Sequence, residues 1–198
     1  MLCKTEKSLE KEKEVVDLAI QNGLRAKILN QNEIKTIEPN VSIDSIGAAY
    51  FYCDHHTTPG ELINELKDYI QKKGVKCITQ TEIESFHIEN NNIKSVNISN
   101  QNLSFDEYVL SAGTWTSKLC KKLGIELLLQ AGKGYSVNHS SKTGISCPAI
   151  LVEPKCAITP MNGFTRYSGT MEISSINDRI RTVSYTHLRA HETTCERV

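Results

Sequence analysis

What this 198-residue sequence lacks narrows its class before any motif is read. No stretch approaches the roughly 20 consecutive apolar residues of a membrane-crossing helix, and Met1 to Lys13 is too charged for a secretory leader. Charge of one sign is not in excess either. Lys plus Arg number 23 and Asp plus Glu number 23, so the net charge is zero, and no basic stripe interleaved with aromatics invites nucleic acid or an anionic membrane. A C-x-x-C pair is missing: Cys3, Cys53, Cys77, Cys120, Cys147, Cys156 and Cys195 stand singly and are odd in number. Such usage fits reduced thiols buried as small hydrophobes. No G-x-G-x-x-G turn exists, because the glycines are solitary apart from Gly132 and Gly134, and that pair falls within a strand pattern. The default expectation is a soluble cytoplasmic protein with no metal site.

What is present alternates helix and strand. Leu9, Val16 and Ile20 recur at helical spacing across Glu6–Asn22, and Gly23 stops the run. A short strand follows at Ala26–Leu29, then a brief helix capped by Asn30 or Asn32 that ends near Ile37, before Glu38-Pro39. Ile46–Tyr52 reads as a strand. Thr58 with Glu61 forms a capping box, Pro59 suits a first helical turn, and Leu62, Leu66, Tyr69 and Ile70 make one apolar stripe up to Gly74. Val75–Thr79 and Thr81–Ile88 are expected strands. Asn90-Asn91-Asn92 is a hairpin turn into Ile93–Ile98, and Leu103–Leu110 returns into the same sheet. Leu127–Asn138, Ala149–Val152, Cys156–Pro160 and Phe164–Glu172 read as an antiparallel series.

The segment from Phe105 to Leu123 carries the most chemistry. Tyr108, Val109 and Leu110 are strand formers, Ser111, Ala112 and Gly113 shed side chains where the chain turns, and Thr114 or Thr116 can cap the helix beyond. A bare backbone past the end of a strand lets a bulky ligand lie close, and a helix start there favours anionic groups. Packing of a strand against a helix needs small residues as well, so both readings stand on these residues alone.

Tyr108-Val-Leu-Ser-Ala-Gly-Thr-Trp-Thr116 resembles the segment of FAD-dependent amino-acid oxidases and dehydrogenases that passes beside the flavin. Asp54–Leu62, Lys133-Gly-Tyr-Ser136, Gly169-Thr-Met-Glu172 and the order of the helix before Glu38-Pro39 resemble further segments of that family, in order over residues 1–180. Glycine oxidases and bacterial D-amino acid dehydrogenases are the nearest members. The resemblance implies a mixed α/β (α+β) fold: a partial two-domain FAD-dependent oxidoreductase, with a nucleotide-binding part and an antiparallel substrate-domain sheet. It assigns 1–53 to the substrate domain and interdomain segments, 54–123 to a partial FAD domain and 124–181 to the substrate-domain sheet. By the same resemblance FAD is the cofactor, contacted by Ile83, Ala112, Gly113 and Trp115, with the Ile83 backbone at the adenine end. The implied reaction is oxidation of the α-carbon C–N bond of a small D-amino acid by hydride transfer, with the substrate carboxylate held by an arginine downstream of this chain. Arg166 does not match that role, and Ala157 stands where glycine oxidases carry a tyrosine facing the substrate. The sequence names no catalytic acid or base. A related flavoenzyme acting on a secondary amine or 2-hydroxy acid, a noncatalytic nucleotide-binding module and an inactive fragment remain alternatives.

Two clusters of histidine need another explanation. His55 and His56 are neighbours in an extended segment, where side chains diverge, and read as loop polarity. His187, His191 and Cys195 are spaced like zinc ligands on one helical face. Yet Val183–Thr193 resembles one reading frame of a transposon-end sequencing adapter, so 182–198 is expected to be an artefactual tail on a chain truncated at both ends.

Overall fold

The computed structural model describes residues 1–140 and 143–180. In chain order these form β1 (Leu2–Cys3), α1 (Glu6–Gln21), β2 (Ala26–Leu29), α2 (Gln31–Ile37), β3 (Gly47–Phe51), α3 (Pro59–Lys72), β4 (Ser85–Glu89), β5 (Asn92–Ile98) and β6 (Gln101–Leu103). A 3-10 turn at Gly113–Trp115 leads into α4 (Thr116–Lys122), followed by β7 (Ala131–His139), β8 (Ala149–Leu151), β9 (Cys156–Met161) and β10 (Phe164–Ser174). The fold is mixed α/β, as the sequence implied. Its described residues divide into two compact units: Met1–Leu62 with Lys133–Glu172 and 178–180, and Ile63–Gly132 with Ile173–Asn177.

The first unit is built on a seven-stranded sheet of order β2-β3-β1-β8-β9-β10-β7, mixed because β1 runs parallel to β8 while β9 is antiparallel to both its neighbours. Alternation along the strands sorts residues onto two faces. Leu2, Ala48, Leu151, Cys156, Ile158 and Tyr167 share one, as the registers Leu2 to Ala48, Leu2 to Leu151, Leu151 to Cys156 and Ile158 to Tyr167 require. This face is the core, completed by Ile34 and Leu29 at one end and Tyr135 at the other. The second face presents Cys3 and Gly47 at one end and Ala157, Thr159, Arg166 and Ser168 at the other. Helix α1 packs chiefly on β1, β2 and β3. Gly47 is where it comes closest: a Cβ there would sit 3.0 Å from Leu9 and 3.1 Å from the Leu29 carbonyl.

Local chemistry sets the first helices as expected. Thr5 caps α1 and Asn30 caps α2, the latter in a complete capping box with Glu33. Gly23, at φ +80°, ends the α1 turn. A more distant residue also secures α1. Glu153 accepts from the Lys4 and Thr5 backbone N–H groups at 2.9 and 3.1 Å, next to the helix start. Burial works to raise its carboxyl, but hydrogen bonds from Ser8, Lys4 and Thr5 hold it below the usual carboxylate range. A carboxyl lowered on folding stabilises above its unfolded value, and the benefit disappears as pH falls through the folded one. Glu153→Gln should therefore lower the urea midpoint at neutral pH, by less than about 1 kcal/mol since the group is solvent-screened, and leave it unchanged in acid below that range. An equal loss at both pH values would exclude the carboxylate as the cause.

In the second unit β4, β5 and β6 form an antiparallel meander. Asn90 and Asn91 have φ of 49° and 61°, the left-handed pair of a two-residue hairpin, and Ser99 and Asn100 repeat it at 48° and 62°. Two expected strands are absent or nearly so. Val75–Thr79 is irregular, and of the expected strand Leu103–Leu110 only Leu103 pairs, as the end of β6, because a strand exists only with a ladder partner and 104–110 have none. Tyr108 instead anchors its segment by its hydroxyl, which donates to the Lys94 carbonyl and accepts from the Phe105 N–H. Helix α3 forms, but none of its residues is buried, so its apolar stripe faces solvent. The capping-box oxygens have another use. Thr58 Oγ1 and Glu61 Oε1 accept from Asn162 at the β9–β10 turn. The cysteines are also mixed: Cys3, Cys120 and Cys156 are buried, whereas Cys53 and Cys77 are exposed. Burial pushes the Cys3 thiol up, away from the reactive thiolate.

Candidate functional site

The four residues singled out by the sequence all lie in the second unit. Ala112 precedes the 3-10 turn, and its carbonyl accepts from the Trp115 N–H at 3.0 Å. Gly113 opens that turn at φ +55°, a conformation that side-chain-bearing residues rarely adopt. A Cβ built on it would meet no atom within 4 Å, so the corner is open. Trp115 lies beside it with its side chain largely uncovered, 55% exposed, and Val109 before the corner is 86% exposed. Small residues here therefore do not serve tight packing of a strand on a helix.

Ile83 is tied to the same helix from the other end. Lys122, the last residue of α4, donates from Nζ to the carbonyls of Ile83 (2.9 Å) and Glu84 (2.8 Å). Lys122 thereby ties the Ile83–Glu84 segment to α4, the helix that follows the Gly113 turn. Sequence reading missed Lys122, since a lysine in a last helical turn looks like simple complement to the helix dipole.

A second surface belongs to the first unit. On the face that α1 leaves open, Arg166 sits opposite Thr159, and Ser168 sits opposite Ala157 on the next rung. Arg166 Nε donates to Asn138 Oδ1 at 3.0 Å, and its guanidinium lies 5.5 Å from the Phe164 ring centre. His55 and His56 do not converge: His55 Nδ1 lies 2.8 Å from the Cys53 carbonyl, and both rings are exposed. Among the described residues no group of three or more His, Cys, Asp or Glu could hold a metal, and no helix is long and apolar enough to cross a membrane. His187, His191, Cys195 and the 182–198 segment lie outside the described residues.

An open small-residue corner on a mixed α/β scaffold is compatible with a bulky ligand, and known proteins specify the class. The sequence matches the family described as FAD dependent oxidoreductase over residues 1–197, and the chain belongs to that family. It is 26% identical over 179 residues to a D-amino acid dehydrogenase of Helicobacter pylori, covering 89% of this chain and 42% of the relative. It is 26% identical over 162 residues to the monomeric sarcosine oxidase of Bacillus sp., covering 79% and 41%. The fold matches glycine oxidase from Bacillus cereus with a TM-score of 0.81 at 24% identity, over 98% of this chain and 53% of that one. L-proline dehydrogenase from P.horikoshii gives 0.83 at 21%, over 98% and 54%. The chain therefore spans less than half the length of these curated relatives. The cofactor of the family is FAD, and the Gly113 corner fits a bulky group in one respect: a Cβ built there meets no atom within 4 Å.

Proposed function

We propose that the chain is part of a flavin-dependent oxidoreductase that oxidises the α-carbon C–N bond of a small D-amino acid, with 54–123 on the cofactor side and 1–53 plus 124–181 on the substrate side. The unobstructed corner at Gly113 is the observation that carries this reading, together with the family to which the chain belongs. Ala112 and Gly113 would present backbone to the isoalloxazine, Trp115 would border it, and Ile83 would meet the adenine end through its N–H. FAD held there would supply the hydride acceptor for oxidation of the substrate α-carbon, the product being an imino acid that water converts to a 2-oxo acid and ammonia. The protein's part is orientation and exclusion of water, so no acid or base is assigned. A secondary amine is the second reading, favoured by the likeness to a sarcosine oxidase.

Because the chain spans under half of its relatives, its own hold on FAD should be weak. Gel filtration after incubation with FAD should yield well under one flavin per chain, whereas titration should still quench flavin fluorescence. Gly113→Val, placing a branched side chain at φ +55°, should abolish that quenching. Stoichiometric flavin after gel filtration would refute the partial-site reading, and quenching indifferent to Gly113→Val would refute the corner. A hybrid carrying this chain in place of the matching part of the Helicobacter pylori dehydrogenase should reduce a dye acceptor with D-alanine. Turnover of sarcosine alone would move the assignment to the second reading.

A further inference from the structure

We infer that Arg166, on the open face of the first unit's sheet, recognises a second carboxylate on the substrate, making dicarboxylic amino acids the preferred class; the substrate part of this inference rests on the reading above. Four observations carry it. The Arg166 side chain is set from two sides, by Asn138 Oδ1 on its Nε and by the Phe164 ring beside its guanidinium. Such support reduces the rotamer entropy that a flexible arginine loses on binding. Nε is the only nitrogen so used, which leaves the two terminal nitrogens in the fork that pairs with a carboxylate by two parallel hydrogen bonds.

Second, no carboxylate competes: among the described residues Arg166 has no ion-pair partner. A half-buried guanidinium without a counter-ion is a standing attraction for an anion. Third, the next rung offers room, since Ala157 and Ser168 are small and face the same way as Arg166. Ala157 and Arg166 are diagonal neighbours, about 7–8 Å apart, within reach of a long side chain. Fourth, the nearby groups on the same face are Thr159, Ser168 and Asn138, which can donate hydrogen bonds to an anion and bring no negative charge. A substrate whose α-carbon lies over Ala157 could extend a carboxylate of two or three carbons to Arg166.

The test needs no flavin, so its outcome is separate from the fate of the cofactor reading. The 198-residue chain, labelled so that arginine Nε–H and backbone amide signals are visible by NMR, is titrated with glutarate, with D-glutamate and with the uncharged glutaramide. Glutarate and D-glutamate should shift the Arg166 signal and the Thr159 and Ser168 amides at about tenfold lower concentration than glutaramide, as expected for a charge-assisted contact. Arg166→Gln, read at the Thr159 and Ser168 amides, should erase the difference between carboxylate and amide, and Arg166→Lys should restore part of it. Ala157→Tyr, which keeps the arginine but fills the adjacent rung, should weaken glutarate and D-glutamate while leaving thermal unfolding unchanged. Equal response to glutarate and glutaramide, or a preference that survives Arg166→Gln, overturns the inference even if the chain binds FAD. A glutarate preference in a chain that fails every flavin test would keep the anion site and remove only its assignment to an amino-acid oxidoreductase.

Discussion

Tyr167→Ala should cost about 3–5 kcal/mol, the largest loss expected of any single truncation in this chain. The side chain is 1% exposed and stands in the core cluster with Tyr135, Cys156 and Ile158. Its position explains the size of the effect. Tyr167 lies opposite Ile158 on β9, so deleting its ring opens a void on the core face of two interior strands of the seven-stranded sheet. Interior packing cannot close such a void without moving backbone. Urea unfolding followed by far-ultraviolet circular dichroism measures the change, with Tyr167→Phe as the control that keeps the ring. A loss below about 1 kcal/mol would mean that the sheet face is not packed as described.

Glu38→Ala comes next, with an expected loss of about 2–4 kcal/mol. Glu38 is buried although charged, and its carboxylate accepts from the Ser146 N–H with both oxygens at 3.0 Å and from the Cys147 N–H at 2.5 Å. Charge-assisted hydrogen bonds to backbone are the strong kind, and removing the acceptor leaves two N–H groups in need of partners. The segment it fastens joins β7 to β8 and lies against α2, so its release should also loosen Ile145 in the core cluster. Amide hydrogen exchange gives the sharper readout: the Ser146 and Cys147 protons should exchange faster in Glu38→Ala, with Glu38→Gln between it and the parent. Unchanged exchange at those two amides would show that water replaces the carboxylate without cost.

How far the sequence foretold this molecule depended on whether a signal was local. Asn30 before α2, Gly23 after α1 and the Asn90-Asn91 turn all act on backbone within a few residues, and each was legible. Val75–Thr79 and Tyr108–Leu110 have strand-forming side chains, but a strand requires a neighbour, and residue type does not report one. Thr58 and Glu61 show the reverse case: a capping signature near a helix start that tertiary contact redirected to Asn162. In the candidate site the small residues at Ala112 and Gly113 stood out because few contexts favour them. Lys122 and Arg166 did not, since a cation on a helix end or a strand is common and only its acceptors distinguish it. Glu38 was visible only as the acid before a proline; the amides it binds are 108 and 109 residues away.

The paired left-handed residues at the two β4–β5–β6 turns bear on how the chain finds its shape. Every rung of that small sheet joins residues close in sequence, so it closes short loops and should assemble on the microsecond scale typical of hairpins. The larger sheet has a harder task. Its parallel seam brings Leu2 to Leu151, a contact that must await all the residues between them and close a long loop at an entropic cost. Until β8 is in place, the side of β1 away from β3 is an unpaired ribbon edge open to wrong partners. Slow refolding with losses to aggregation at high protein concentration is the kinetic signature of that seam.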